Sequence, residues 1–159
     1  MSGKVFVKNQ NYDPILITSQ ILLIFGVFYS FFILFILVFD TVLGLKVHLD
    51  QVLGVDSIEF TTKYGIASIL ALVFSNIIIV ILMIFVVEKA NKILDYVLTN
   101  FLFHFILTTI NSKKIPLNFS WWIVNILIVS IVTIVTEYIC LTLERKEISL
   151  VKLESENKV

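Results

Sequence analysis

An all-α fold that crosses a membrane four times is the class this chain predicts, and three observations predict it. The first is composition: 58% of the 159 residues are hydrophobic, only 15% are charged, and the mean hydropathy is +1.00. A soluble domain carries about 45–50% apolar and about 25% charged residues. The second is length, since residues 14–39 and 64–87 hold no charge, and about 20 apolar residues make a helix long enough to cross about 30 Å of hydrocarbon. The third is punctuation, because short polar stretches and a tryptophan pair separate these runs from two further apolar ones. We expect one compact membrane unit.

The remaining bulk properties exclude more than they assign. Zero formal net charge gives no electrostatic footprint for nucleic acid, and one cysteine, Cys140, excludes an internal disulfide and multi-cysteine metal motifs. No paired His or Cys, no nucleophile with a base at motif spacing and no phosphate-cradling glycine loop is present, so we expect neither an enzyme nor a bound cofactor.

Residues 1–13 read as a short polar tail. Pro14 suits the first turn of a helix, where a missing N–H would have had no partner, and the first span covers residues 14–39. A cleaved signal peptide would have an apolar core of about 7–15 residues ending at a small-residue site. That site is absent, so we expect no cleavage. Ser19, Gly26 and Ser30 fall near one face and suggest close helix packing there. Gln20, an amide in the outer third of the span, predicts a bond to a neighbouring helix.

Residues 40–63 form the longest connection, containing His48 as a solvated loop residue. With turns at Gly44 and Gly54, the apolar Leu43, Leu45, Val47 and Leu49 predict a short amphipathic piece on the membrane surface. The second span covers 64–87. Its face of Tyr64, Ser68, Ala71 and Ser75 predicts close packing, and Asn76 predicts a bond to another helix. Residues 88–92 are a tight turn, which makes spans two and three antiparallel neighbours.

The third span, 93–112, is the shortest by hydropathy, with Lys92 and Lys113 reaching for opposite interfaces. Tyr96, Asn100, His104 and Thr108 recur every four residues and draw one polar stripe down it, with Asp95 offset by one position. The stripe admits three readings: hydrogen-bonded packing inside a bundle, a proton or ion path, or recognition of a partner's terminus. Trp121 and Trp122 mark the interface where the fourth span, 121–143, begins. Ser130, Thr133, Glu137 and Cys140 share one face of it. A lone carboxylate deep in a span costs about 2.5–3.5 kcal/mol, so Glu137 is neutral, near the headgroups, or turned toward Asn100 or His104.

Residues 144–159 alternate acids and bases as a solvated helical continuation. Lys and Arg number eight on the side of the two tails and the 88–92 turn and four on the other. That bias predicts cytosolic termini. Asn118-Phe119-Ser120 would then be a lumenal glycosylation sequon, close to Trp121.

Read together, several ordered pieces resemble the SYS family of Golgi integral membrane proteins. They are Asp13 to Ile17 with Ser19-Gln20-Ile21, Phe60-Thr61 with Tyr64-Gly65, Leu94-Asp95-Tyr96 with Thr99, His104, Pro116 with Ser120-Trp121-Trp122, and Glu137-Tyr138-Ile139-Cys140. The resemblance implies a four-span trans-Golgi protein acting as membrane receptor for an Arf-related small GTPase. In that scheme the GTPase has an acetylated rather than myristoylated N-terminus, and its docking leads to a second Arf-like GTPase and to tethering golgins. Such a GTPase lacks even the marginal membrane affinity of one acyl chain, which a bilayer receptor would supply. Topology then places the docking face at Asp13, Pro14, Asp95 and Glu144. Gln20, Asn76, Asn100, His104 and Glu137 are the intramembrane packing residues, and Trp121 and Trp122 the interface anchors. The lipid bilayer is the other partner, and homo-oligomerisation is left open. The rival reading is a small proton-coupled transporter using Asp95, His104 and Glu137.

Overall fold

A computed structural model describes residues 14–48, 50–87 and 89–156, with side chains through Lys146. Four long helices carry it: α1 (Pro14–Leu43), α3 (Lys63–Val86), α4 (Ile93–Ser112) and α5 (Phe119–Glu156), with a four-residue α2 (Asp50–Leu53) in the first connection. All four are long and apolar enough to cross a membrane. Their outward surfaces fit lipid rather than water: Phe85, Ile134, Leu22 and Ile131 stand exposed along the shafts, an apolar belt no soluble monomer tolerates. Neighbours around the bundle run α1, α3, α5, α4 and back to α1, so α3 and α4 stand across the ring from each other and are not the neighbours that the short 88–92 turn predicts. Both termini of the helical unit lie at one end, and the 44–62 and 113–118 connections at the other.

The face of α1 that turns inward is Ile24, Phe28, Phe32 and Ile36, a clean four-residue repeat. Ser19, Gly26 and Ser30 point outward instead of packing. The reason is local: each serine hydroxyl bonds a carbonyl of its own helix, Ser19 to Leu16 at 2.8 Å and Ser30 to Gly26 at 2.8 Å. They need no neighbour, and the larger side chains bury more area. On α3 the small face is as expected, with Ser68, Ala71 and Ser75 sealed against the bundle and Tyr64 at its edge.

The long connection departs most from expectation. Helix α1 runs past Phe39 to Leu43 and takes Asp40 with it, fully buried, where Gln51 Nε2 donates to its Oδ1 at 3.2 Å. Gly44, at φ +67°, then stops the helix in the left-handed region that favours glycine. Residues 45–48 form no helix, Leu43 and Val47 remain exposed, and Leu49 lies outside the described residues. The apolar residues that matter are later: Val52, Val55 and Ile58 plug the end of the bundle. Ser112 Oγ accepts from Val55 N at 3.0 Å, and Asn111 Nδ2 donates to Leu53 O at 3.2 Å. The connection is thus a cap, pinned to the C-terminal end of α4.

Gly65 explains how the cap reaches α3. Residue 59 crosses directly over the first turn of that helix, and a Cβ on Gly65 would run into the Glu59 carbonyl. Thr62 completes the start by accepting from Gly65 N at 3.1 Å, an ordinary N-cap. Asn118 starts α5 in the same way, its Oδ1 accepting from Ser120 N at 3.1 Å while its Nδ2 donates to Ile58 O at 3.4 Å. The sequon asparagine therefore ties the cap to α5.

Candidate functional site

Two polar groupings stand out against the apolar shafts. The first closes the end that carries the termini. Gln20 of α1 donates through Nε2 to the Val86 carbonyl at the end of α3, at 2.9 Å, and accepts from the Tyr96 hydroxyl of α4 at 2.5 Å. The helical turn Ala90–Lys92 leads into α4, and Glu144 of α5 accepts from the Ala90 backbone N–H at 2.8 Å. Every long helix is thereby tied at this end. An orphan N–H at a helix entrance has a favourable partner in a carboxylate, because the charge also meets the positive end of the backbone dipoles.

Of the residues expected to form a docking face, two are exposed on that braced end: Pro14, which opens α1, and Asp95, whose carboxylate is 71% exposed and 4.0 Å from the Lys92 ammonium. So exposed a pair adds little stability, which leaves Asp95 available at the surface. Asp13 lies outside the described residues. Glu144 is half-buried by its bond to Ala90.

The second grouping lies mid-bundle. His104 is 95% buried, its Nδ1 2.9 Å from the Tyr29 hydroxyl of α1. Phe28 meets the imidazole edge-on at 5.9 Å, and Trp121 lies nearly parallel to it at 6.2 Å. Tyr96 and Thr108 are buried and Asn100 half-buried, so the four-residue stripe of α4 faces inward along its length. Asn76 is different from expectation, because its Nδ2 donates to Leu72 O of its own helix at 2.8 Å. A short amide reaches the carbonyl one turn back more readily than it reaches a neighbouring helix.

Two further assignments are corrected here. Trp121 is fully buried, packed on Phe101 and Phe105, and is a core residue. Trp122 is the half-buried member, with Nε1 donating to Pro116 O at 2.8 Å. Glu137 is exposed and faces neither Asn100 nor His104. The inward line of α5 runs through Val132, Thr133, Thr136 and Cys140, and one residue beyond Thr136 is turned about 100° away from that line. Asp95 and Glu137 are thus exposed on the outside of α4 and α5, whereas His104 is buried between the helices. Among the described residues no cluster of His, Cys, Asp and Glu could hold a metal ion.

Sequence reasoning passed over Tyr29, Asn125, Ser112 and the Asp40–Gln51 pair. Asn125 was open to the argument used for Gln20 and Asn76, being an amide inside a span. Asp40 was not, since a carboxylate at the end of an apolar run ordinarily marks the water.

Residues 7–150 match the family model described as SYS1, integral membrane protein S linking to the trans Golgi network. The chain belongs to the SYS1 family. It is 26% identical over 137 residues to the SYS1 homolog of Nematostella vectensis, covering 86% of this chain and 87% of that one. To the SYS1 homolog of Dictyostelium discoideum it is 27% identical over 146 residues, covering 92% of this chain and 62% of the longer relative. No solved structure matches it. Membership makes this SYS1-family chain a Golgi membrane protein with four apolar helices and a part in membrane traffic.

Proposed function

We propose that the protein is the trans-Golgi receptor that brings an Arf-related small GTPase, N-terminally acetylated and not myristoylated, to the membrane, and so supports golgin recruitment and vesicle traffic. Both termini are cytosolic in this reading. The observation that supports it is the braced end: Gln20, Tyr96 and the Glu144 contact to Ala90 tie the four helices at the end where Pro14 and Asp95 are exposed. A docking surface held in one geometry costs less to order on binding. A GTPase without an acyl chain has little membrane affinity of its own, so a protein surface at the headgroups supplies what the lipid would have.

Charge reversal at Asp95 tests this without touching the brace. With Asp95→Lys, the GTPase is expected to leave Golgi membranes by at least about tenfold, since a like-charge or lost ionic contact at an interface is worth several kcal/mol. Glu144→Gln retains the acceptor to Ala90 and is expected to have a smaller effect. A correctly located Asp95→Lys protein that keeps its GTPase would refute this docking face. The transporter reading gains nothing from the geometry, because its three titratable residues do not meet.

A further inference from the structure

Between α3, α4 and α5, with Phe28 of α1 as one wall, lies a cavity of about 30 Å³. Its polar lining comes from Asn76, Asn100, His104 and Asn125, one or two from each of three helices. Their hydrogen-bonding capacity is only partly used. Asn76 and Asn125 each donate Nδ2 to a carbonyl of their own helix, at 2.8 Å, and their amide oxygens have no donor among the described residues. Asn100 Oδ1 is buried without a partner. His104 engages Tyr29 through Nδ1, which leaves Nε2 without one among the described residues.

We infer that this cavity is a binding site for internal water, one or two molecules, that joins α3, α4 and α5 through Asn76, Asn100, His104 and Asn125. Size permits it, because a water needs about 10–15 Å³ of such space and two to four polar partners. Chemistry selects it. The unmet groups include acceptors, the amide oxygens, and donors, among them the Asn100 Nδ2, which makes no hydrogen bond among the described residues, so the occupant must both donate and accept, as water does. A cation would also suit amide oxygens, but no carboxylate faces the cavity: Asp95 and Glu137 are on the outer surface. An uncompensated charge between apolar helices is far costlier than a neutral donor. If the Tyr29 hydroxyl donates to Nδ1, the imidazole proton sits on Nε2 and gives the water one donor to accept from. Left dry, the site would leave the buried Asn100 Oδ1 unsatisfied, a costly state between apolar helices.

Met83 provides the readout, since it lines the cavity and is fully buried. Hydroxyl radicals made by X-ray radiolysis of an internal water oxidise the sulfur beside it, whereas a dry neighbour is spared. With the full chain in lipid nanodiscs, Met83 sulfoxide is expected to form with dose in the wild type. In Asn100→Leu, whose apolar side chain fills the space, oxidation is expected to fall to the unirradiated background. Unfolding moves the readout the opposite way, toward more oxidation, and Asn125→Leu then serves as the second variant. A wild type whose Met83 stays at background, or a folded Asn100→Leu protein oxidised like the wild type, overturns the site. The inference is independent of the receptor reading, and either can fail alone.

Discussion

Gln20 uses both ends of its amide on other helices, so one side chain joins α1 to the end of α3 and the start of α4. Inside a bilayer such bonds are worth about 0.6 kcal/mol on average and up to about 1.7. A double-mutant cycle of Gln20→Leu and Tyr96→Phe is expected to return a coupling energy in that range by unfolding in detergent or bicelles. A value of zero would mean the two side chains do not meet. The glycines differ just as specifically. Gly65→Ala is expected to destabilise by about 1–3 kcal/mol, the usual overpacking cost, because backbone at Glu59 blocks the new methyl. Gly26→Ala meets nothing within 4 Å and is expected to stabilise by about 0.5–1 kcal/mol through the lower entropy of an alanine in a helix. Equal effects from the two would refute the crossing of residue 59 over α3.

At the scale of elements, Asn118 is a test of whether the cap and α5 are one construction. Removing its side chain in Asn118→Ala is expected to cost about 1 kcal/mol through the lost N-cap. Because its Nδ2 already donates to Ile58 O, the folded protein is expected to stay unglycosylated, with gel mobility unchanged by glycosidase. A glycosidase-sensitive shift would show that residues 58 and 118 separate. The four spans were legible because lipid demands long charge-free runs, and that demand writes itself into composition. The stripe of α4 was legible for a related reason: four polar residues at helical spacing in an apolar helix must find the interior. Faces of α1 and α5 were not. Serine hydroxyls that bond their own helix look identical in sequence to small residues at a helix contact, and in a span apolar on every side no periodicity distinguishes Thr136 from Glu137. The cap was hidden because Asp40 finds Gln51 only across ten intervening residues, and a single hydrogen bond joins the two inside the protein.

For the whole molecule, the ring of α1, α3, α5 and α4 with both termini at one end makes an accessibility prediction. In a Cys140→Ala background, Pro14→Cys and Lys146→Cys are expected to react with an impermeant maleimide from the same side of sealed vesicles. Leu117→Cys, 89% exposed in the opposite connection, is expected to react only from the other side. Labelling of positions 14 and 146 from opposite faces would exclude a four-span arrangement. The same ring explains why the proposed docking site was harder to read than the fold. Its exposed members, Pro14 and Asp95, are ordinary surface residues taken singly, and they become a surface only because Gln20, Tyr96, Ala90 and Glu144 brace the helices beneath them.

The last helix continues without a break to Glu156. At 1.5 Å per residue, the twelve residues beyond Glu144 carry it about 18 Å further, whereas one leaflet's polar layer is only about 5–8 Å deep. Its tip is a mast clear of the lipid. On the receptor reading, a partner diffusing past would meet that mast before it met the bilayer.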